Sequence, residues 1–174
     1  MDNRYNIDFL NLKEGKYELS FSIDKSFLDI YQNTDINDLD ISVKTDLEKT
    51  SRNLILKFDI EGKINVQCDR CLDNFDLPIK YNTKLFINFG EETSDLTDVD
   101  DTMVVSKSEN SIDLSKHFYD YIILQIPIKK VHPDDDKGES TCNIKMLEHI
   151  ENIQDNDDTE SIDPRWEKLK NLYN

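Results

Sequence analysis

Cys68 and Cys71 stand in Val66-Gln67-Cys68-Asp69-Arg70-Cys71-Leu72 with two residues between them, in a chain that holds only three cysteines. A short turn of that length aims both sulfurs at one point. A metal clip, a redox dithiol and a structural disulfide all use such a pair. His132 and the third cysteine, Cys142, are the residues that could decide among them. Zinc takes about four nitrogen or sulfur ligands in a tetrahedron. Cys68, Cys71, His132 and Cys142 supply that set with no ligand left over and no open position for chemistry.

The redox alternative rests on the same pair. A reactive dithiol usually has its first cysteine at a helix N-terminus, where the dipole lowers the thiol pKa. Here an alternating, strand-like run precedes the pair, no helical periodicity follows it, and Asp69, Asp73 and Asp76 are expected to raise the thiol pKa values. No base with an orienting partner accompanies a nucleophile, no glycine-rich phosphate loop is present, and the acidic runs lack calcium-loop spacing. A thiol-redox protein using Cys68 and Cys71 is therefore the alternative, and no catalysis is the expectation.

The elements that must position these residues are legible in the hydropathy pattern. Tyr17, Leu19, Phe21 and Ile23 alternate, as do Ile41, Val43, Thr45 and Leu47, then Leu54, Leu56, Phe58 and Ile60. Glu61-Gly62-Lys63 reads as a hairpin turn into Ile64, Val66 and Cys68. Phe75, Leu77, Ile79 and Tyr81 follow, and Leu85, Ile87 and Phe89 extend the alternation. Short connections favour antiparallel pairing, so the first half predicts an antiparallel sheet curling towards a barrel. Residues 26–31 read as a short helical turn, 91–101 as an exposed acidic loop, and 102–105 as a short strand.

Ser111 or Asp113 can cap a helix running to about Ile126, ended by Pro127. Leu114, Phe118, Tyr121, Ile122 and Ile126 keep helical spacing, and Tyr119, Ile123 and Leu124 widen the stripe, which predicts a buried helix lying on the sheet. The fold class is thus α+β, with three parts: a domain over 1–132, an acidic, partly flexible segment over 133–162 and a C-terminal helix over 163–174. Asp163-Pro164 caps that last helix, and Trp166, Leu169, Leu172 and Tyr173 form an apolar edge that is expected to dock back.

At 174 residues and 20.4 kDa the chain suffices for one core with a small appendage. Its net charge of −16 is uneven: 16 acidic and 12 basic residues fall in 1–90, against 21 and 9 in 91–174. A field of that sign repels phosphate backbones and anionic membranes and attracts basic partners. The first residues lack a signal-peptide pattern and no apolar run reaches about 20 residues. The expectation is a cytoplasmic protein with reduced thiols and no membrane association.

Cys68-Asp69-Arg70-Cys71-Leu72 resembles the YceD-like family, a former domain of unknown function. The resemblance takes in Leu12 and Gly15, Leu47-Glu48-Lys49, Gly62, Ile112-Asp113-Leu114, Pro127, His132 and Cys142. Closing Asp163-Pro164-Arg165-Trp166, with Leu169 and Leu172, resembles Bacteroidetes-type members. The resemblance implies a non-enzymatic role in accumulation or processing of large-subunit ribosomal RNA. In the family the cysteine pair recurs with a later His–Cys or Cys–Cys element, which implies structural zinc on Cys68, Cys71, His132 and Cys142. The interval between His132 and Cys142, filled by Asp134-Asp135-Asp136, is longer than in compact members. The expected partner is a ribosomal protein or a large-subunit precursor particle. Any direct RNA contact falls to Arg70, Lys129 and Lys130 beside the cysteines.

Overall fold

Alternating burial organises the chain. In the computed structural model, which describes residues 3–31, 35–90, 101–106 and 108–157, the apolar alternation becomes five long and short strands of one sheet. These are β2 (Gly15–Asp24), β3 (Ile36–Lys49), β4 (Asn53–Gln67), β5 (Asn74–Phe89) and β6 (Thr102–Val105), in that spatial order. Every second residue is buried from Leu39 to Leu47 in β3 and, apart from Gly62, from Leu54 to Val66 in β4, among them Ile41, Val43, Leu56, Phe58 and Ile60. The intervening residues, such as Lys44, Asp46, Lys57 and Glu61, face outward. One face therefore packs and the other is solvated, as antiparallel sheets allow.

A second, two-stranded sheet pairs β1 (Asn6–Asp8) with β7 (Ser111–Asp113), and α1 (Lys25–Tyr31) follows β2. Helix α2 (Ser115–Leu124) covers the apolar face of the large sheet. Its Phe118 ring lies 5.3 Å from Phe21 of β2 and 5.5 Å from Phe58 of β4, centroid to centroid. Tyr121 lies 5.9 Å from Phe58 and 6.1 Å from Tyr81 of β5. Offset and edge-on ring contacts of this kind add about 0.5–1.5 kcal/mol each beyond area burial. The N-cap of α2 is Leu114, without a side-chain cap hydrogen bond, rather than Ser111 or Asp113; the Asp113 carboxylate accepts the Ser115 N–H at 2.9 Å from one residue before that cap. Ser111 and Asp113 both lie in β7, which ends just before that cap.

Three expectations need correction. Glu61-Gly62-Lys63 is no hairpin turn, because β4 runs unbroken through it. Gly62 is required by close approach: a Cβ there would stand 2.2 Å from the Asp40 carbonyl oxygen of β3. The glycine lets two strands meet, and in sequence that resembles a turn signal. Nor does the sheet close into a barrel. β6 joins β5 in parallel, over Phe86–Phe89 only, and the buried face is filled by α2 rather than by the sheet itself. Among the described residues no strand pairs with the outer side of β5 before Phe86, and Pro78, without a backbone N–H, is tolerated there. Finally, α2 ends at Leu124, which is exposed rather than part of the buried stripe.

The chain beyond α2 turns back along the sheet end and enters α3 (Ile144–Asp157), whose Met146 and Leu147 pack on the core. Most of the acidic loop over 91–101, and the expected C-terminal helix over 163–174 with its docking, lie outside the described residues.

Candidate metal centre

Strand β4 delivers Cys68 at its C-terminal end, and the chain reverses tightly into β5. Cys68 N–H donates to the Asp73 carbonyl at 2.9 Å and Leu72 N–H to the Cys68 carbonyl at 3.0 Å. Leu72 adopts a left-handed φ of 63° to close the turn. The Arg70 N–H points at the Cys68 sulfur, 3.4 Å away. The turn thus aims backbone donors and two thiols into one space.

A second wall comes from the exit of α2. Asp69 clamps it: its N–H donates to the Lys130 carbonyl at 2.7 Å, and its carboxylate accepts the Lys130 N–H at 2.6 Å. Two residues on, His132 lies with its ring against Phe75, centroids 4.7 Å apart, and its Nδ1 turned to the cysteines.

The third wall is a hairpin. Asp134 bridges Ser140, and the Asp135 carboxylate accepts the N–H groups of Lys137 at 2.9 Å and Glu139 at 2.8 Å. Gly138 supplies the positive φ of 80° that the turn needs. The long interval after His132 is therefore folded back on itself, and Cys142 returns to the side of His132. Asn143 Nδ2 fastens it by donating to the Asp73 carboxylate at 2.9 Å.

The four ligand atoms lie within 4.8 Å of one another. Cys68 and Cys142 Sγ are 3.8 Å apart, His132 Nδ1 is 3.4 Å from Cys71 Sγ, and 3.7 Å from Cys142 Sγ. Zinc–sulfur and zinc–nitrogen bonds of ~2.3 and ~2.05 Å at a tetrahedral angle require about 3.8 Å between sulfurs and about 3.6 Å between sulfur and nitrogen. The three separations agree within a few tenths of an ångström. All three cysteines are free and buried, and 3.8 Å between sulfurs is far beyond a disulfide at ~2.05 Å. The cluster is consistent with a zinc site.

Electrostatics of the thiols departs from expectation. Burial pushes the Cys68 thiol up, but the backbone N–H groups of Cys71, Arg70 and His132 and the His132 ring outweigh it, bringing the value down to about 6. The lowering runs against the rise expected from the three aspartates, because the donors that produce it sit at the sulfur itself. Asp69 holds Lys130, Asp73 holds Asn143, and Asp76 takes Lys63 and Asn65. Burial, together with the Cys68 and Cys71 sulfurs, pushes the Cys142 thiol up against a smaller lowering by Ser140.

Of the three cations expected at a contact, Lys129 and Lys130 lie just before His132 in the chain. Arg70 sits between the two cysteines and donates to the Ser140 hydroxyl at 3.3 Å, and Lys130 is the residue that Asp69 clamps. Sequence reasoning missed Asp69, Phe75 and Asp135, the residues that orient the ligands. Asp-x-x-Gly at 135–138 is a turn signal that could have revealed the hairpin.

No curated protein and no solved structure matches the chain. A family model, described as large ribosomal RNA subunit accumulation protein YceD, matches residues 56–173. The match begins inside β4, so the opening strands lie outside it, and it carries the family without the Bacteroidetes-type subgroup. It spans both halves of the cysteine and histidine cluster and well over half of the sequence, and on that ground the chain belongs to the YceD family.

Proposed function

We propose that this protein is a non-enzymatic factor in large ribosomal subunit biogenesis, supporting accumulation or processing of the ribosomal RNA from the cytoplasm. Family membership supports the role in ribosomal RNA accumulation. The observation that carries the mechanism is the convergence of Cys68, Cys71, His132 and Cys142 within 4.8 Å. On this reading the four hold a structural zinc ion, which ties the β4–β5 turn to the loops before and after Asp135. A closed ligand set offers no position to a substrate. The protein then acts by binding: a ribosomal protein or a large-subunit precursor particle, with Arg70, Lys129 and Lys130 at the contact. The net charge of −16 favours a basic partner for the rest of the surface.

Co-sedimentation from growing cells tests this. The protein should travel with large-subunit precursors, and Cys68→Ser or Arg70→Glu should release it. A normal ribosomal RNA profile in a deletion strain would overturn the reading.

One observation favours a second reading. The Cys68 thiol, held at about 6, is the kind of thiolate a redox protein would use with Cys71. Freshly purified, tag-free protein separates the two. Stoichiometric zinc with protected thiols excludes a resting redox pair, whereas reversible oxidation of a metal-free pair at cellular potential supports it.

A further inference from the structure

Helix α3 is poorly supported for its length. In sequence, Met146, Leu147, Ile150 and Ile153 recur at helical spacing. Met146 and Leu147 pack on the core, but Ile150, one turn further on, is 36% exposed. A helix of 14 residues is marginal in water unless its apolar face is covered. Charge works against it as well. The negative pole of a helix dipole lies at its C-terminus, yet the last turn of α3 holds Asp155 and Asp157 and no basic residue. This helix calls for a cover that is both apolar and cationic.

The chain itself carries such a segment just beyond the described residues. Residues 164–174 hold Arg165, Lys168 and Lys170 against Glu167. That reverses the sign of the preceding 133–163, where eleven acidic residues stand against Lys137 and Lys145. Trp166, Leu169, Leu172 and Tyr173 recur at steps of three and four, behind the helix-start signal Asp163-Pro164. The six residues 158–163 separate the end of α3 from that start, and paired helices are commonly joined by about two to eight residues. So short a connection sets two helices antiparallel and side by side.

We propose that residues 164–174 form a helix folded back on α3 as an antiparallel hairpin. Counted from the connection, Leu169 and Leu172 come level with Ile150 and cover it, while Arg165 and Lys168 stand beside the acidic last turn. A second copy of the chain or a basic helix of a partner protein answers the same chemistry, but either has to be recruited from solution. The tethered segment is present at the millimolar effective concentration that a short linker confers, and it takes the face first. Docking also removes the chain's single tryptophan, Trp166, from water.

Trp166 is its own probe. In purified full-length protein its emission should be that of a buried indole, with weak acrylamide quenching at every protein concentration. Ile150→Asp, and separately Arg165→Glu with Lys168→Glu, should shift the emission to the red and raise the quenching constant several-fold. Leu10→Asp, at an exposed aliphatic residue beside the β3–β4 turn and at the other end of the sheet from the cysteines, should change neither. Leu169→Asp with Leu172→Asp should strip amide protection from 148–157 in hydrogen exchange, while protection in the centre of β4 holds. A solvent-exposed Trp166 in the pure protein overturns the proposal and leaves the segment to a partner. Quenching that Ile150→Asp does not alter overturns it by placing the segment elsewhere on the body. Shielding that appears only as concentration rises overturns it in favour of a second copy, and unaltered exchange in 148–157 removes the segment from α3.

Discussion

At the cysteine end single hydrogen bonds decide protonation. The Cys68 thiol is pushed up by burial and brought to about 6 by three backbone N–H groups and the His132 ring, whereas burial and two neighbouring sulfurs hold Cys142 above its ordinary range. Zinc requires thiolates, so loading at pH 7 should release fewer than three protons per site, one of the three thiols being already ionised. Calorimetry in buffers of different ionisation enthalpy counts them, and release of three would contradict the depressed value. The sign for the metal-free protein follows. A lowered thiol pKa contributes stability that is complete above the ordinary value of 9.0 and is lost as pH falls through about 6. Asp69 is the other residue with leverage, since it alone bonds the cysteine turn to Lys130 in both directions. Asp69→Ala should lower zinc affinity about tenfold, as loss of a ligand-orienting partner does, and cost about 1–2 kcal/mol in urea unfolding. Asp69→Asn, which keeps an acceptor, should cost less.

At the scale of elements, the hairpin over 134–140 decides whether Cys142 belongs to the site. The Asp135 side chain organises it by accepting two N–H groups. Asp135→Ala should therefore raise hydrogen exchange over 133–142 and weaken metal binding, while Asp135→Asn, with its remaining oxygen acceptor, should do little. Equal effects of the two would show that the hairpin does not depend on that acceptor. The hairpin was only half legible in the sequence: Asp and Gly mark a turn, but a run of aspartates also reads as a solvated loop. Strand alternation, by contrast, was plain, and so was the helix carrying Phe118 and Tyr121, because burial on one face imposes a period that composition cannot hide. Gly62 misled because close strand approach and a hairpin turn make the same demand on a residue. The parallel docking of β6 left no local signal, since a four-residue strand carries no mark of its neighbour's direction. The aspartates beside the cysteines misled for a further reason: the sequence names nearby charges but not the backbone N–H groups that the fold turns onto the Cys68 sulfur.

For the whole molecule, the sheet and the cysteine–histidine cluster are separable sources of order. Strands β3, β4 and β5 are held by long antiparallel ladders and by α2, and none of that needs a ligand. Chelation, or Cys68→Ser, should loosen 128–145 and lower the Tm, while amide protection in the centre of β3, β4 and β5 persists. Global loss of protection would mean that the sheet itself depends on the metal. The cluster joins residues distant in sequence, Cys68 to Cys142 across 74 positions and Cys71 to His132 across 61. A chain made at roughly 5–20 residues per second thus presents its first two thiols about 4–15 s before the last ligand is synthesised. The neighbouring strands β2 to β5 pair by short connections and can assemble in that interval. Refolding in cobalt should show it: the far-ultraviolet signal of the sheet recovers first and the thiolate–cobalt absorption later. On the ribosome the same order leaves the cysteine–histidine cluster open until Cys142 has emerged, by which time every strand of the large sheet has already been made.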